Sequence, residues 1–377
     1  MNKFQRAAKL LQQEGMDAWL IICNEDSDIH SPYFLGIKSH AMHFIFIDSK
    51  GQHEILAVQM EAPMIKKTLD NAGVKASVKY YSGGKELIEM LTDLLQKPRI
   101  AVNYGENSLL SGTTYADYLK VGELESLKKI APGTEFISAA NLIFQLRSVK
   151  SSEEIKVLRE NAKITIEVLE GVPDWVKVGM TEKEVEARIS YEYLKVGEPA
   201  FDTIVATCEN SADPHHNSSK KKIQEGALLI DTGVRSNQVR SDVTWTFWAG
   251  GKPPEDFTRA YYALYESKKV ATQYMKENNP MNLPGIKCRE FLQKQGYNHE
   301  KLFIHGLGHA LGYEVHDIGY RMSWKSPADK LFLKNSVYTN EPGLYWPGKY
   351  GLRLEDDILV AEEPELLTYN PPEPLII

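Results

Sequence analysis

At 377 residues the chain is longer than one ordinary hydrophobic core supports, so two domains are expected. Its 42% hydrophobic and 25% charged content is that of a globular protein, and a net charge of −7 without any basic tract excludes a cationic nucleic-acid binder. No apolar run approaches the ~20 residues of a membrane span, and the start Met1-Asn-Lys-Phe-Gln-Arg leads into an amphipathic stretch instead of a signal-peptide core, so a cytoplasmic protein that does not engage membranes is expected.

An amphipathic helix is predicted from Phe4 to Gln13, stopped by Gly15 and followed by the apolar strand Ala18–Cys23. The runs 43–48 and 54–58 flank Ser49-Lys-Gly-Gln and predict a hairpin, and 100–103 reads as one more strand. Residues 1–146 therefore read as a small α/β domain without a reactive cluster. A boundary falls at 146–152, where Ser151 and Glu154 form a capping-box pattern that opens a helix with Ile155, Leu158, Ala162, Ile166 and Leu169 on one face. Thr181 and Glu184 repeat that signal for a helix carrying Val185, Ile189 and Leu194. From Phe201 onward the pattern reads as strands and loops. Cys23, Cys208 and Cys288 are widely spaced, form no CxxC pair and read as buried thiols, outside any disulfide framework or thiolate zinc site.

The second half concentrates the chemistry. A buried-strand run, 227–230, ends at Asp231-Thr-Gly233. The strand 241–248 alternates, with Asp242, Thr244 and Thr246 on one face and Val243, Trp245 and Phe247 on the other. These two acids are either site residues or members of a solvated strand face and a turn. Three of the ten histidines fall within twelve residues, 305–316. Gly306, Gly308 and Gly312 disfavour a helix there by roughly 1 kcal/mol each and point to an extended or looped segment with close backbone approach. Each histidine taken singly reads first as a satisfied core residue, a reading that three within twelve residues weaken. A strand over 337–340 ends in Glu341-Pro-Gly, and 351–360 alternates, with Arg353, Glu355 and Asp357 facing together. Arg353 and Glu355 alone could be a structural ion pair.

Taken together, these segments resemble the pita-bread metallopeptidase family, which includes aminopeptidase P, prolidase, methionine aminopeptidase and the metal-free creatinases. The resemblance covers nearly the whole chain. It implies an α/β (α+β) fold, with a creatinase-like N-terminal domain over 1–146 and a pita-bread catalytic domain over 147–377, entered through Arg147-Ser-Val-Lys-Ser-Ser-Glu-Glu154. The family's two Asp, one His and two Glu ligands match Asp231, Asp242, His309, Glu341 and Glu355, so two divalent metal ions are implied and creatinases are disfavoured. Oxygen-rich coordination with one imidazole suits Mn²⁺, then Co²⁺ or Zn²⁺. Asp213-Pro-His215 and Val315-His316-Asp317 match the histidines of the proline-specific members, and His305 a further histidine lining the site. Hydrolysis of the bond preceding proline by a homodimer is the implied function. Glu341 is then the general base, His215 and His316 stabilise the oxyanion and steer proline, and His305 and Arg353 contact substrate. A metal-dependent hydrolase or lyase of a non-peptide substrate, and a non-catalytic binding protein on the same fold, are the alternatives. Trp245 stands where the family motif carries arginine and is expected to alter packing or dimer contacts. Ala310, where glycine is common, and the continuation 319–324 are expected to reshape the proline pocket.

Overall fold

The apolar run Ala18–Cys23 is strand β1, buried on both faces because it lies inside a sheet. The computed structural model describes residues 1–377 and divides them into two units, Met1–Leu146 and Arg147–Ile377. In the first unit β1 pairs antiparallel with β2 (His43–Asp48), which pairs antiparallel with β3 (His53–Val58). Gly51, at φ +86°, takes the left-handed position in the turn between β2 and β3. Three further strands, β4 (Ala76–Tyr81), β5 (Arg99–Val102) and β6 (Glu135–Ser138), complete the order β4-β3-β2-β1-β5-β6. The pairs β3·β4, β1·β5 and β5·β6 are parallel and require crossovers. Helix α1 (Lys3–Gln13) is capped reciprocally by Asn2 and Gln5, a capping box ahead of the predicted start at Phe4.

In the second unit both capping boxes are present. Ser151 opens α2 (Ser152–Glu170) and Thr181 opens α3 (Glu182–Tyr193). The face Ile155, Leu158, Ala162, Ile166 and Leu169 is buried, each Leu or Ile contributing roughly 1.5–3 kcal/mol of apolar burial. Leu194 departs from expectation: it is the C-cap residue of α3 and 64% exposed, while Tyr193 takes the buried position. Strands β7 (Ile204–Thr207), β8 (Gly226–Thr232) and β9 (Val243–Ala249) form an antiparallel sheet with Asp231 opposite Thr244. Val243, Trp245 and Phe247 pack with Ile166, Leu169, Val185 and Ile189 of α2 and α3.

The expectation of strands and loops alone after Phe201 is wrong. Two long helices follow, α4 (Glu255–Thr272) and α5 (Leu283–Lys294), and then a single helical turn over His299–Leu302. Their signals are in the sequence: Pro254 followed by Glu255 and Asp256, and Phe257, Ala260, Tyr261, Leu264 and Ala271 at helical spacing. With Leu292, Leu352, Leu354 and Ile358 they build a second apolar cluster. The region expected as one strand over 351–360 is two, β12 (Tyr350–Arg353) and β13 (Asp356–Leu359). The first forms a hairpin with β11 (Gly343–Trp346), and the second pairs with β10 (Val337–Asn340). The break at Leu354 and Glu355 lets the Glu355 amide donate to Thr244 O (3.0 Å), tying this region to β9. Cys23 and Cys288 are buried as expected, while Cys208 is only half-buried.

Candidate metal centre and active site

Polar residues on these strands, at their ends and in the loops between them converge on one cavity of about 460 Å³. Asp231, Asp242, His309, Glu341 and Glu355 line it, with His215, His305, His316, Arg321 and Arg353. All five expected ligands and all three expected histidines are thus brought together, and the solvated-face alternative fails. Asp242 is 4% exposed and Thr244 fully buried. Donor atoms of Asp242, His309 and Glu355 lie within 4.8 Å of one another. His309 Nε2 is 3.5 Å from both Asp242 Oδ2 and Glu341 Oε1.

The glycines explain how the histidine loop reaches the strands. A Cβ at Gly308 would stand 2.2 Å from Thr339 O, so only glycine lets that backbone approach. The contact is secured by Thr339 N donating to His309 O (3.0 Å), His309 N donating to Thr339 Oγ1 (3.1 Å) and Glu341 N donating to Leu307 O (2.9 Å). His309 Nδ1 lies 3.2 Å from Ala310 O, an arrangement that leaves Nε2 turned to the carboxylates and available to ligate. Ala310 is accommodated by Gly319, where a side chain would meet the alanine methyl at 2.7 Å.

Electrostatics report an excess of buried negative charge. Burial first, then Glu355 and Asp231, push the Asp242 carboxyl well above the usual range. Burial, with Glu341 and Asp231, does the same for Glu355. Glu341 is pushed up to about 7, chiefly by burial. The imidazoles go the other way: burial brings His305 and His309 down to about 3 and lowers His316, so all three are neutral at pH 7. A neutral imidazole is a ligand or a hydrogen-bonding group, and carboxylates that cannot all ionise unaided want cations. The buried Asp231 Oδ1, without a hydrogen-bond partner, points the same way. The donor set, hard carboxylates with one imidazole, therefore fits divalent metal.

Arg353 does not occupy the role expected of it. Its guanidinium pairs with Asp231, Nη2 to Oδ2 at 2.5 Å, and not with Glu355 on the same strand face. It also donates from Nε to Thr244 Oγ1 (3.0 Å) and from Nη1 to Tyr345 Oη and Pro214 O (3.2 Å each). Four of its five N–H directions are satisfied inside the protein and the side chain is 4% exposed, so it orients Asp231 and has little left for substrate. The exposed cation on the cavity wall is Arg321, whose guanidinium makes no hydrogen bond or ion pair within the chain.

Further residues support the site through contacts that alternation does not specify. Thr244 was visible by alternation, and its hydroxyl donates to Glu355 Oε2 (2.6 Å). Asp357 Oδ2 accepts from the Asp242 amide (3.1 Å). Tyr345 Oη lies 3.0 Å from His305 Nε2, and the ring fits because Gly351, its cross-strand partner, has no side chain. No short-range pattern marks Tyr345. Trp245 is 2% exposed, with its indole N–H donating to Tyr369 O (2.9 Å), so its difference from arginine is one of internal packing and not of contact between copies.

A buried carboxylate and imidazole cluster of this kind, set in a mixed α/β unit, has the chemistry of a divalent-metal site. The comparisons narrow the class. The chain belongs to metallopeptidase family M24, which matches residues 156–362, and a creatinase/prolidase N-terminal domain matches residues 3–149. It is 30% identical over 298 residues to the uncharacterized peptidase YqhT of Bacillus subtilis, covering 78% of this chain and 80% of that one. It is 33% identical over 250 residues to the Xaa-Pro dipeptidase of Pyrococcus furiosus, covering 65% and 69%. The crystal structure of an X-Pro aminopeptidase from Thermotoga maritima superposes with a TM-score of 0.84 at 27% identity, covering 99% of this chain and 100% of that one.

Proposed function

We propose that the protein is a metal-dependent peptidase that cleaves the bond preceding proline, with residues 147–377 as its catalytic domain and 1–146 as its creatinase-type N-terminal domain. The observation that carries this reading is the convergence of the Asp242, His309 and Glu355 donor atoms, within 4.8 Å of one another, on a cavity also lined by His215, His305 and His316. The activities named for the Pyrococcus and Thermotoga proteins support it. Asp231, Asp242, His309, Glu341 and Glu355 would hold two divalent ions, Mn²⁺ by the hardness of the oxygen donors. Bound there, the ions supply Lewis acidity and bring the pKa of water toward ~7. Glu341 is the general base, accepting the water proton at a carboxylate oxygen. Its Oε1 also accepts from Thr339 Oγ1 (3.3 Å), which fixes the side chain. His215 and His316 offer imidazole N–H groups to the developing oxyanion, donors worth about 3–4 kcal/mol each where removal has been measured. His305 is spoken for by Gly306 O and Tyr345 Oη and shapes the wall. Arg321 takes the contact with substrate carboxylate in place of Arg353. A cytoplasmic homodimer completes the reading.

The test is metal-stripped protein reloaded with Mn²⁺ and offered a Leu-Pro dipeptide beside an Xaa-Pro-Xaa tripeptide. Preference for the dipeptide identifies a prolidase and preference for the tripeptide an aminopeptidase P. Silence on both with metal bound overturns the reading and turns attention to a non-peptide substrate.

A further inference from the structure

Glu182, the first residue of α3, is fully buried. It is not needed to cap its helix, because Thr181 and the exposed Glu184 already do so. Instead its two oxygens accept five hydrogen bonds. Oε1 takes Thr207 N (2.9 Å) and Asn210 Nδ2 (2.8 Å), and Oε2 takes His216 Nε2 (2.9 Å), Ser219 N (2.9 Å) and Ser219 Oγ (2.6 Å). All five donors belong to the segment 207–219, which leaves the end of β7 and carries Pro214 and His215 onto the cavity wall. Burial alone would raise this carboxyl, but the donors from Ser219, His216, Thr207 and Asn210 outweigh it and hold Glu182 below the usual range, so it is an anion at neutral pH.

His215 itself is held only through its backbone. Its amide donates to Asp213 Oδ1 (3.0 Å), and its ring has no hydrogen-bond partner in the chain. The position of that ring is therefore inherited from the segment, which is pinned on the cavity side by Arg353 at Pro214 O and on the other by Glu182. His216 points its ring to the carboxylate while its neighbour faces the site, so adjacent histidines divide the work of anchoring and reaction. We infer that Glu182, through His216 and the segment 207–219, is a positioning residue for His215.

The inference rests on the reactive role proposed for His215, and a double-mutant cycle in the Mn²⁺-loaded enzyme separates the two. His215→Ala alone should lower kcat on an Xaa-Pro dipeptide; full activity there overturns the role of His215 and the inference with it. Glu182→Gln should lower kcat about tenfold or more, since a displacement near 1 Å costs up to about 100-fold, with KM and metal content little changed. In the His215→Ala background the same substitution should change kcat by less than about twofold, because residues acting as a unit are non-additive. An equal proportional loss in both backgrounds, with His215→Ala impaired, reduces Glu182 to a general structural role and overturns the inference alone, as does an unchanged kcat for Glu182→Gln. Should Glu182→Gln fail to fold, His216→Gln carries the same cycle with the same expected non-additivity.

Discussion

Replacing Glu341 with Gln separates the electrostatic cost of the carboxylate cluster from its use as a metal site. In the metal-free fold, burial moves Glu341 from its ordinary 4.5 to about 7. Between those values the folded protein keeps the Glu341 proton and the unfolded chain has lost it, so each rise in pH favours unfolding. Stability from this proton is fully present below about pH 4.5 and lost as pH rises through about 7, a span worth about 3 kcal/mol at about 1.4 kcal/mol per pH unit. Buried histidines held neutral pull the other way, since His305 and His309 stand at about 3, but both proteins share them and the comparison cancels them. With a chelator present, urea melts of wild type and Glu341→Gln should therefore diverge by about 3 kcal/mol in favour of the variant between pH 4.5 and pH 7.5. Saturating Mn²⁺ should reverse the order at pH 7.5, because metal stabilises the fold by mass action and requires deprotonated ligands that the amide cannot supply. A stability gap that stays constant with pH in chelator, or one that moves toward wild type, would falsify the account of an over-charged cluster.

Three further outcomes follow from the same geometry. His309→Ala should lower metal affinity by at least about 100-fold, since even the outer partners of ligands cost about 10–100-fold, and abolish turnover while the urea midpoint of the metal-free protein stays near wild type; normal turnover sinks the assignment. Arg353→Met leaves Asp231 buried without its cation and should destabilise the metal-free protein by about 3–5 kcal/mol, read by urea melts, whereas a loss under 1 kcal/mol would mean the 2.5 Å pair is not structural. Gly308→Ala drives a methyl to 2.2 Å from Thr339 O and should cost at least about 1–3 kcal/mol together with most of the activity; an unaffected melt and turnover would show that the histidine loop can move away from β10.

Much of this protein was legible without coordinates, because the signals involved are local. The capping boxes at Ser151 and Thr181, the hairpin turn at Gly51 and the alternation that places Asp242, Thr244 and Thr246 together depend only on neighbours in the chain and on the periods of helix and strand. Residue types drew attention to the acids and to the histidines of 305–316 but left structural readings open, and the resemblance to the metallopeptidase family singled out the set, His215 included, now found around one cavity. Helices α4 and α5 also carry their signal in apolar spacing, set in a region dense with strand signals. What only the tertiary structure decided are the partners: that Arg353 holds Asp231 and not Glu355, that Tyr345 backs His305, that Asp357 holds the Asp242 amide, and that Glu182 gathers the segment behind His215. The Arg353 and Asp231 positions are 122 residues apart, and Asp357 and Asp242 are 115 apart. Such pairs are chosen by how sheets and loops stack in space, and a carboxylate with several cations and donors in the sequence carries no local mark of which one burial will bring within 3 Å of it.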